Sequence, residues 1–157
     1  MKRVLCLVLV LCLFPVCAFG ETLEDILPVF NRKARTCGAS QLTGEYNRIQ
    51  KSTYDMLEYK ISESIYTGFM EKYGEIDSGY VVCVDPSSEG DFLALCAAHV
   101  LTICGDSDGE KAYRYILEMF LAARKKKETT ETTIGNIVFD LFPISTGIAF
   151  NYTIIGK

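Results

Sequence analysis

The chain has no tryptophan, one histidine and only four prolines in 157 residues. With Trp absent, one common stacking residue is missing, although nine Tyr and nine Phe remain. With His99 alone, any histidine-dependent catalysis must run through that side chain. The sequence holds no glycine-rich nucleotide loop, no internal repeat and no linker rich in Pro, Gly or Ser. One histidine and dispersed cysteines lack the paired spacing of a structural zinc site, so no metal and no cofactor is expected. An excess of positive charge is also lacking. Formal net charge is −4, which counts against phosphate backbones as partners.

What is present first is a leader. Lys2 and Arg3 precede an apolar run broken by Pro15, and Ala18-Phe19-Gly20 forms a small-x-small cleavage site before Glu21. That layout predicts a secretory signal peptide over residues 1–20, followed by one domain over 21–157. Two rivals are weaker. A lipoprotein box at Cys17 would need small residues where Phe14-Pro15-Val16 stands, and an uncleaved anchor would leave the cleavage site unused. Removing 20 of 157 residues leaves 137, enough for one domain with a real core. Lys plus Arg falls from 16 to 14 against 20 Asp plus Glu, so the mature charge is −6.

Of seven cysteines, Cys37, Cys83, Cys96 and Cys104 remain after cleavage. An even number in an exported chain favours two disulfides. Cys96 and Cys104 are separated by about 12 Å along a continuous helix, beyond the roughly 4.4–6.8 Å between Cα atoms that a disulfide spans. A helix doubling back over the preceding strand favours Cys83–Cys96, with Cys37–Cys104 as the second bridge.

The organising stretch is Ser88 to Cys104, SEGDFLALCAAHVLTIC. From Phe92 onward only His99 and Thr102 interrupt the apolar residues, so this predicts a helix covered on most sides rather than an amphipathic one. Ser88 with Asp91 has capping spacing, and Gly105 marks the stop. The run is too short to span a bilayer. Upstream, Thr22 to Arg35 predicts a short helix capped by Thr22 and Asp25, with Pro28 inviting a kink. Residues 36–53 carry only loop-like clusters. Leu57, Tyr59 and Ile61 alternate with polar residues, Ile65–Met70 continues strand character with a bulge at Gly68, and Asp77-Ser78-Gly79 punctuates a turn before the strand Tyr80–Val84.

Downstream, Ser107 and Glu110 have capping-box spacing ahead of an amphipathic helix carrying Tyr115, Ile116, Met119, Phe120 and Ala123. ETTETT is a polar connector. Two alternating segments then form a hairpin turning at Pro143–Gly147. The expected fold is α+β: an antiparallel sheet of about four to five strands packed on a central buried helix and a second antiparallel helix, with a short N-terminal helix.

The sharpest catalytic candidate is a thiolate–imidazole pair of Cys96 and His99, one helical turn apart. An apolar setting opposes it by blunting the thiol. Asp106, Asp108 and Glu110 fail as a calcium loop, because Gly109 falls at the fourth position and Leu117 at the twelfth. The basic run Arg124–Lys127 answers the dipole at a helix end, with a patch for an anionic surface or glycan as the weaker reading. Glu58, Glu63 and Glu71 are candidates for a carboxylate pair, and Asn151-Tyr152-Thr153 is a glycosylation sequon that would have to face solvent.

The leader and the lack of a catalytic motif lead to the expectation of an exported, non-catalytic binding or interaction module at or outside the cell surface, with an extracellular protein or glycan as partner. After signal cleavage it would be neither nucleic-acid-binding nor an integral membrane protein. The alternatives are a secreted hydrolase, using Cys96 and His99 or a carboxylate pair, and an inhibitor of a secreted enzyme presenting the Pro143–Gly147 turn.

Overall fold

The computed structural model describes residues 21–105 and 109–156. The leader over 1–20, the Ser107–Glu110 cap and the Asp106, Asp108 and Glu110 side chains lie outside the described residues. Within them the fold is α+β: α1 (Leu23–Cys37), β1 (Asn47–Gln50), β2 (Asp55–Lys60), β3 (Ile65–Lys72), β4 (Glu75–Cys83), α2 (Glu89–Cys104), α3 (Gly109–Lys126), β5 (Thr130–Ile134), β6 (Ile137–Ile144) and β7 (Gly147–Ile154). The sheet has seven strands in the order β1-β2-β3-β4-β7-β6-β5, every neighbour antiparallel. Four to five strands was therefore an undercount. The two outermost strands, β1 and β5, come from the stretches read as loop and connector, short and polar as edge strands tend to be.

Local chemistry sets the element ends. The Thr22 hydroxyl accepts from the Asp25 amide while the Asp25 carboxylate accepts from the Thr22 amide, a capping box at the start of α1. Gly38 closes the same helix in the left-handed region. Pro28 sits on the solvent side and α1 continues through it, so the freed carbonyl one turn back is open to water. Tyr73 and Gly74 both hold positive φ, 56° and 85°, the two-residue turn whose twist suits the β3–β4 hairpin.

Asp77-Ser78-Gly79 is not a turn; it runs inside β4. Gly79 is required there because a Cβ would lie 2.5 Å from the Tyr152 ring. Gly68 does not mark the bulge either, which falls at Met70/Glu71. A Cβ at Gly68 would instead strike the Leu57 carbonyl at 2.1 Å.

All three helices lie on one face. Twelve of the sixteen residues of α2 are buried, from Phe92 through Ile103, because α1 and α3 flank it and the sheet underlies it. Its start differs from the expected cap: Ser88 is the N-cap but makes no side-chain capping bond, and Asp85 Oδ1 accepts from the Ser87 amide in a short 3-10 turn before it. Sheet residues pointing at the helices include Leu57, Tyr59, Ile65, Phe69, Val81, Phe139, Leu141, Phe150 and Tyr152, all buried. Each large apolar side chain enclosed there contributes about 1.5–3 kcal/mol.

Candidate functional site

The sequence candidates converge on the core, and the core seals them. His99 and Cys96 are both 0% exposed. His99 is ringed by Phe30, Phe69, Phe150 and Tyr152, with ring centroids 4.7–6.5 Å away. The Thr67 hydroxyl donates its one proton to the Tyr80 carbonyl at 2.8 Å. The 2.9 Å contact between Thr67 Oγ1 and His99 Nε2 must then run from the imidazole, which makes Nε2 the protonated nitrogen. Nδ1 is left without a partner, as is the Tyr152 hydroxyl. Burial drives the His99 pKa down to about 3, so the ring stays neutral. Burial likewise pushes the Cys96 thiol well up, and the nearby Cys83 raises it further. A neutral imidazole committed to Thr67 beside an un-ionised thiol, both closed to solvent, offers a substrate neither a base nor a path.

Neither expected pairing, Cys83–Cys96 or Cys37–Cys104, is made among the described residues. The reason is local for Cys83, whose Sγ turns toward the strand exit and donates to the Asp85 carbonyl at 3.1 Å. Cys37 and Cys104 are half-buried.

The carboxylates Glu58, Glu63 and Glu71 are not brought together. Glu63 pairs with Lys60 at 2.6 Å in solvent. Glu71 shares Arg48 with Asp55 on the helix side of the sheet. Glu58 lies on the opposite side, accepting from the Tyr80 hydroxyl at 3.2 Å. Among the described residues no group of three or more His, Cys, Asp or Glu could hold a metal, and no helix is long and apolar enough to cross a membrane.

Of the basic run, Arg124 pairs with Glu89 at 3.0 Å and lies over Phe120. This pair borders a cleft of about 290 Å³ floored by Cys83, Pro86 and Ile148, between the end of α3 and the β6–β7 turn. The ion pair leaves Lys127 as the remaining charge of its lining. The turn itself, Ser145-Thr146, is polar and exposed.

The site that single-residue reasoning missed is the other face of the sheet, on which no described helix lies. Register and alternation order its outward side chains into three cross-strand rows. One is Lys60, Tyr66, Val82, Ala149, Phe142. The next is Asn47, Glu58, Gly68, Tyr80, Asn151, Asp140, Glu131. The third is Ile49, Met56, Met70, Ser78, Thr153, Val138, Thr133. Tyr66, Val82, Phe142, Met56, Met70 and Val138 are half-buried. Gly68 has no side chain, and Tyr80 from the neighbouring strand reaches past it to Glu58. Tyr80 is only 5% exposed, an aromatic ring laid along the sheet.

The middle row carries Glu58 next to Asn47 toward one end and the carboxylates Asp140 and Glu131 at the other. Burial raises the Asp140 carboxyl, and its cross-strand neighbour Glu131 raises it further by repulsion and a shared hydrogen bond. Between them and Tyr80, the sequon residue Asn151 is half-buried; its Nδ2 reaches Thr153 at 3.4 Å while its Oδ1 has no donor. The sequence signal was available. Strands β3, β4 and β6 carry large apolar residues at both parities (Tyr66 and Phe69, Val81 and Val82, Leu141 and Phe142), as two-sided strands do.

No family model, no curated protein and no solved structure matches the chain.

Proposed function

We propose that this protein is an exported, non-catalytic interaction module, acting at or outside the cell surface and engaging another protein through the helix-free face of its sheet. The observation that carries the reading is that face. Seven strands at about 4.8 Å spacing and three outward rows about 7 Å apart give a surface of roughly 29 by 20 Å, or about 600 Å². That approaches the roughly 800 Å² each partner gives to a standard interface. A monomer seldom leaves so large a partly apolar patch without a use. Export is supported by the layout of residues 1–20, with its basic start, apolar run and small-x-small site before Glu21. The sealing of His99 and Cys96 supports the non-catalytic half, because the only imidazole is withdrawn from any surface chemistry.

The test is site-specific photocrosslinking in the producing cell. A benzophenone side chain replaces Tyr66 or Phe142 on the face, and Leu121, exposed on α3, as control. Defined adducts from the two face positions in the extracytoplasmic fraction, and none from Leu121, support the reading. Adducts from Leu121 alone, or protein confined to the cytoplasm with its first 20 residues intact, overturn it.

A further inference from the structure

We infer that the partner surface received by the helix-free face presents lysine or arginine side chains set among aliphatic ones. This rests on the reading of the face as an interface, and it follows from which groups there lack a complement.

The two outer rows ask for apolar cover: Tyr66, Val82, Ala149 and Phe142 on one side, Ile49, Met56, Met70 and Val138 on the other. The row between them carries three carboxylates, Glu58, Asp140 and Glu131. Glu131 and Asp140 are adjacent carboxylates at one end, and the charge of Glu131 helps raise the Asp140 carboxyl. Glu58, next to Asn47 toward the other end, accepts from the Tyr80 hydroxyl, against a carboxylate's capacity for several donors. The one cation on the rows, Lys60, stands at the corner and is paired with Glu63.

A partner bringing only apolar groups would bury these carboxylates without donors, the arrangement that costs most. A second copy of this chain stacked face to face would set acidic row against acidic row, and like charges brought together across an interface cost several kcal/mol. Guanidinium or ammonium groups spaced along a segment with aliphatic neighbours satisfy both demands. They would meet Glu131 and Asp140 together, and Glu58 some 19 Å away, four strand spacings along the row.

The test uses fluorescein-labelled 14-residue peptides of alternating Lys and Leu, with Glu/Leu and Ser/Leu peptides of equal length as controls. Binding is read by anisotropy and mapped by amide shifts on residues 21–157. The Lys/Leu peptide should bind and shift Tyr66, Tyr80, Val82, Asp140, Phe142 and Asn151. The triple variant Glu58→Gln/Glu131→Gln/Asp140→Asn should weaken it at least about tenfold. The pair Glu131→Gln/Asp140→Asn, which leaves the Tyr80–Glu58 bond intact, should show part of that loss. Glu24→Gln/Glu118→Gln/Glu128→Gln, an equal charge change at exposed positions off the face, should leave affinity unchanged. Tight binding of the Glu/Leu or Ser/Leu peptide, or an equal loss in both triple variants, overturns the inference. Should face crosslinks form in the cell while the partner binds equally well to the face variant, the interface reading stands and its basic chemistry falls; if no crosslink forms at the face, both fall.

Discussion

Lowering the pH from 8 to 5 should destabilise this protein by about 2 kcal/mol through His99 alone. The imidazole is neutral in the folded core, with its pKa brought down to about 3 by burial, against 6.5 when exposed. Below pH 6.5 the unfolded chain binds a proton that the folded chain refuses. Stability is therefore complete above 6.5, declines as pH falls through the window from 6.5 to 3, and loses no more below it. Each unit within that window removes up to about 1.4 kcal/mol, so the full effect approaches about 5 kcal/mol, a large share of the 5–15 kcal/mol typical of a domain. The raised carboxyls of Glu21 and Asp140 work in the opposite sense, gaining stability as pH falls. They are isolated by comparison with His99→Gln, which cannot titrate yet offers an amide to Thr67. Urea unfolding at pH 8, 6.5 and 5 should show the wild type losing about 2 kcal/mol more than the variant across that range. Equal losses in the two proteins would refute the sealed, neutral histidine and, with it, the argument that removes His99 from catalysis.

Other outcomes follow from particular contacts. Gly68→Ala should cost about 2–3 kcal/mol in chemical denaturation, because its new methyl meets the Leu57 backbone carbonyl, which cannot move without breaking the β2–β3 ladder. Gly79→Ala meets only the Tyr152 ring, so its penalty should shrink in a Tyr152→Leu background; a double-mutant cycle showing simple additivity would count against that packing. Thr22→Ala should cost about 1 kcal/mol by removing the capping box of α1. In reduced, folded protein a disulfide exchange reagent should modify Cys37 and Cys104 and spare Cys83 and Cys96 until denaturant is added; four fast thiols without denaturant would contradict the burial of the latter two.

The legible parts of the fold were those where burial wrote a period into the residues. Leu57 and Tyr59, the hairpin rows from Ile137 to Ile154, and the unbroken apolar surface of α2 all read as they fold. Edge strands were illegible because half their backbone and most of their side chains meet water, so Asn47–Gln50 and Thr130–Ile134 bear no alternation. Gly79 was misread for a different reason. A glycine required by the ring of a residue 73 positions away looks, in isolation, like a glycine required by a turn. His99 and Cys96 could be placed on one helix from their spacing, but Thr67 and the ring of aromatics come from elsewhere in the chain. The helix-free face is harder still, since it exists only once seven strands have taken their register.

The junction of β4 with β7 joins segments more than sixty residues apart, from Ser78–Cys83 to Ile148–Thr153. On either side of it the strands pair with their sequence neighbours, so each meander can assemble from nearby contacts. The closing partner is synthesised more than sixty residues after β4. Until it arrives, Tyr80-Val81-Val82-Cys83 offers an open ladder of amides and carbonyls to whatever strand comes first, including a sister chain. A transcript truncated before residue 147 would make that exposure permanent, and its product belongs with sticky, misassembling polypeptides rather than with merely weakened ones.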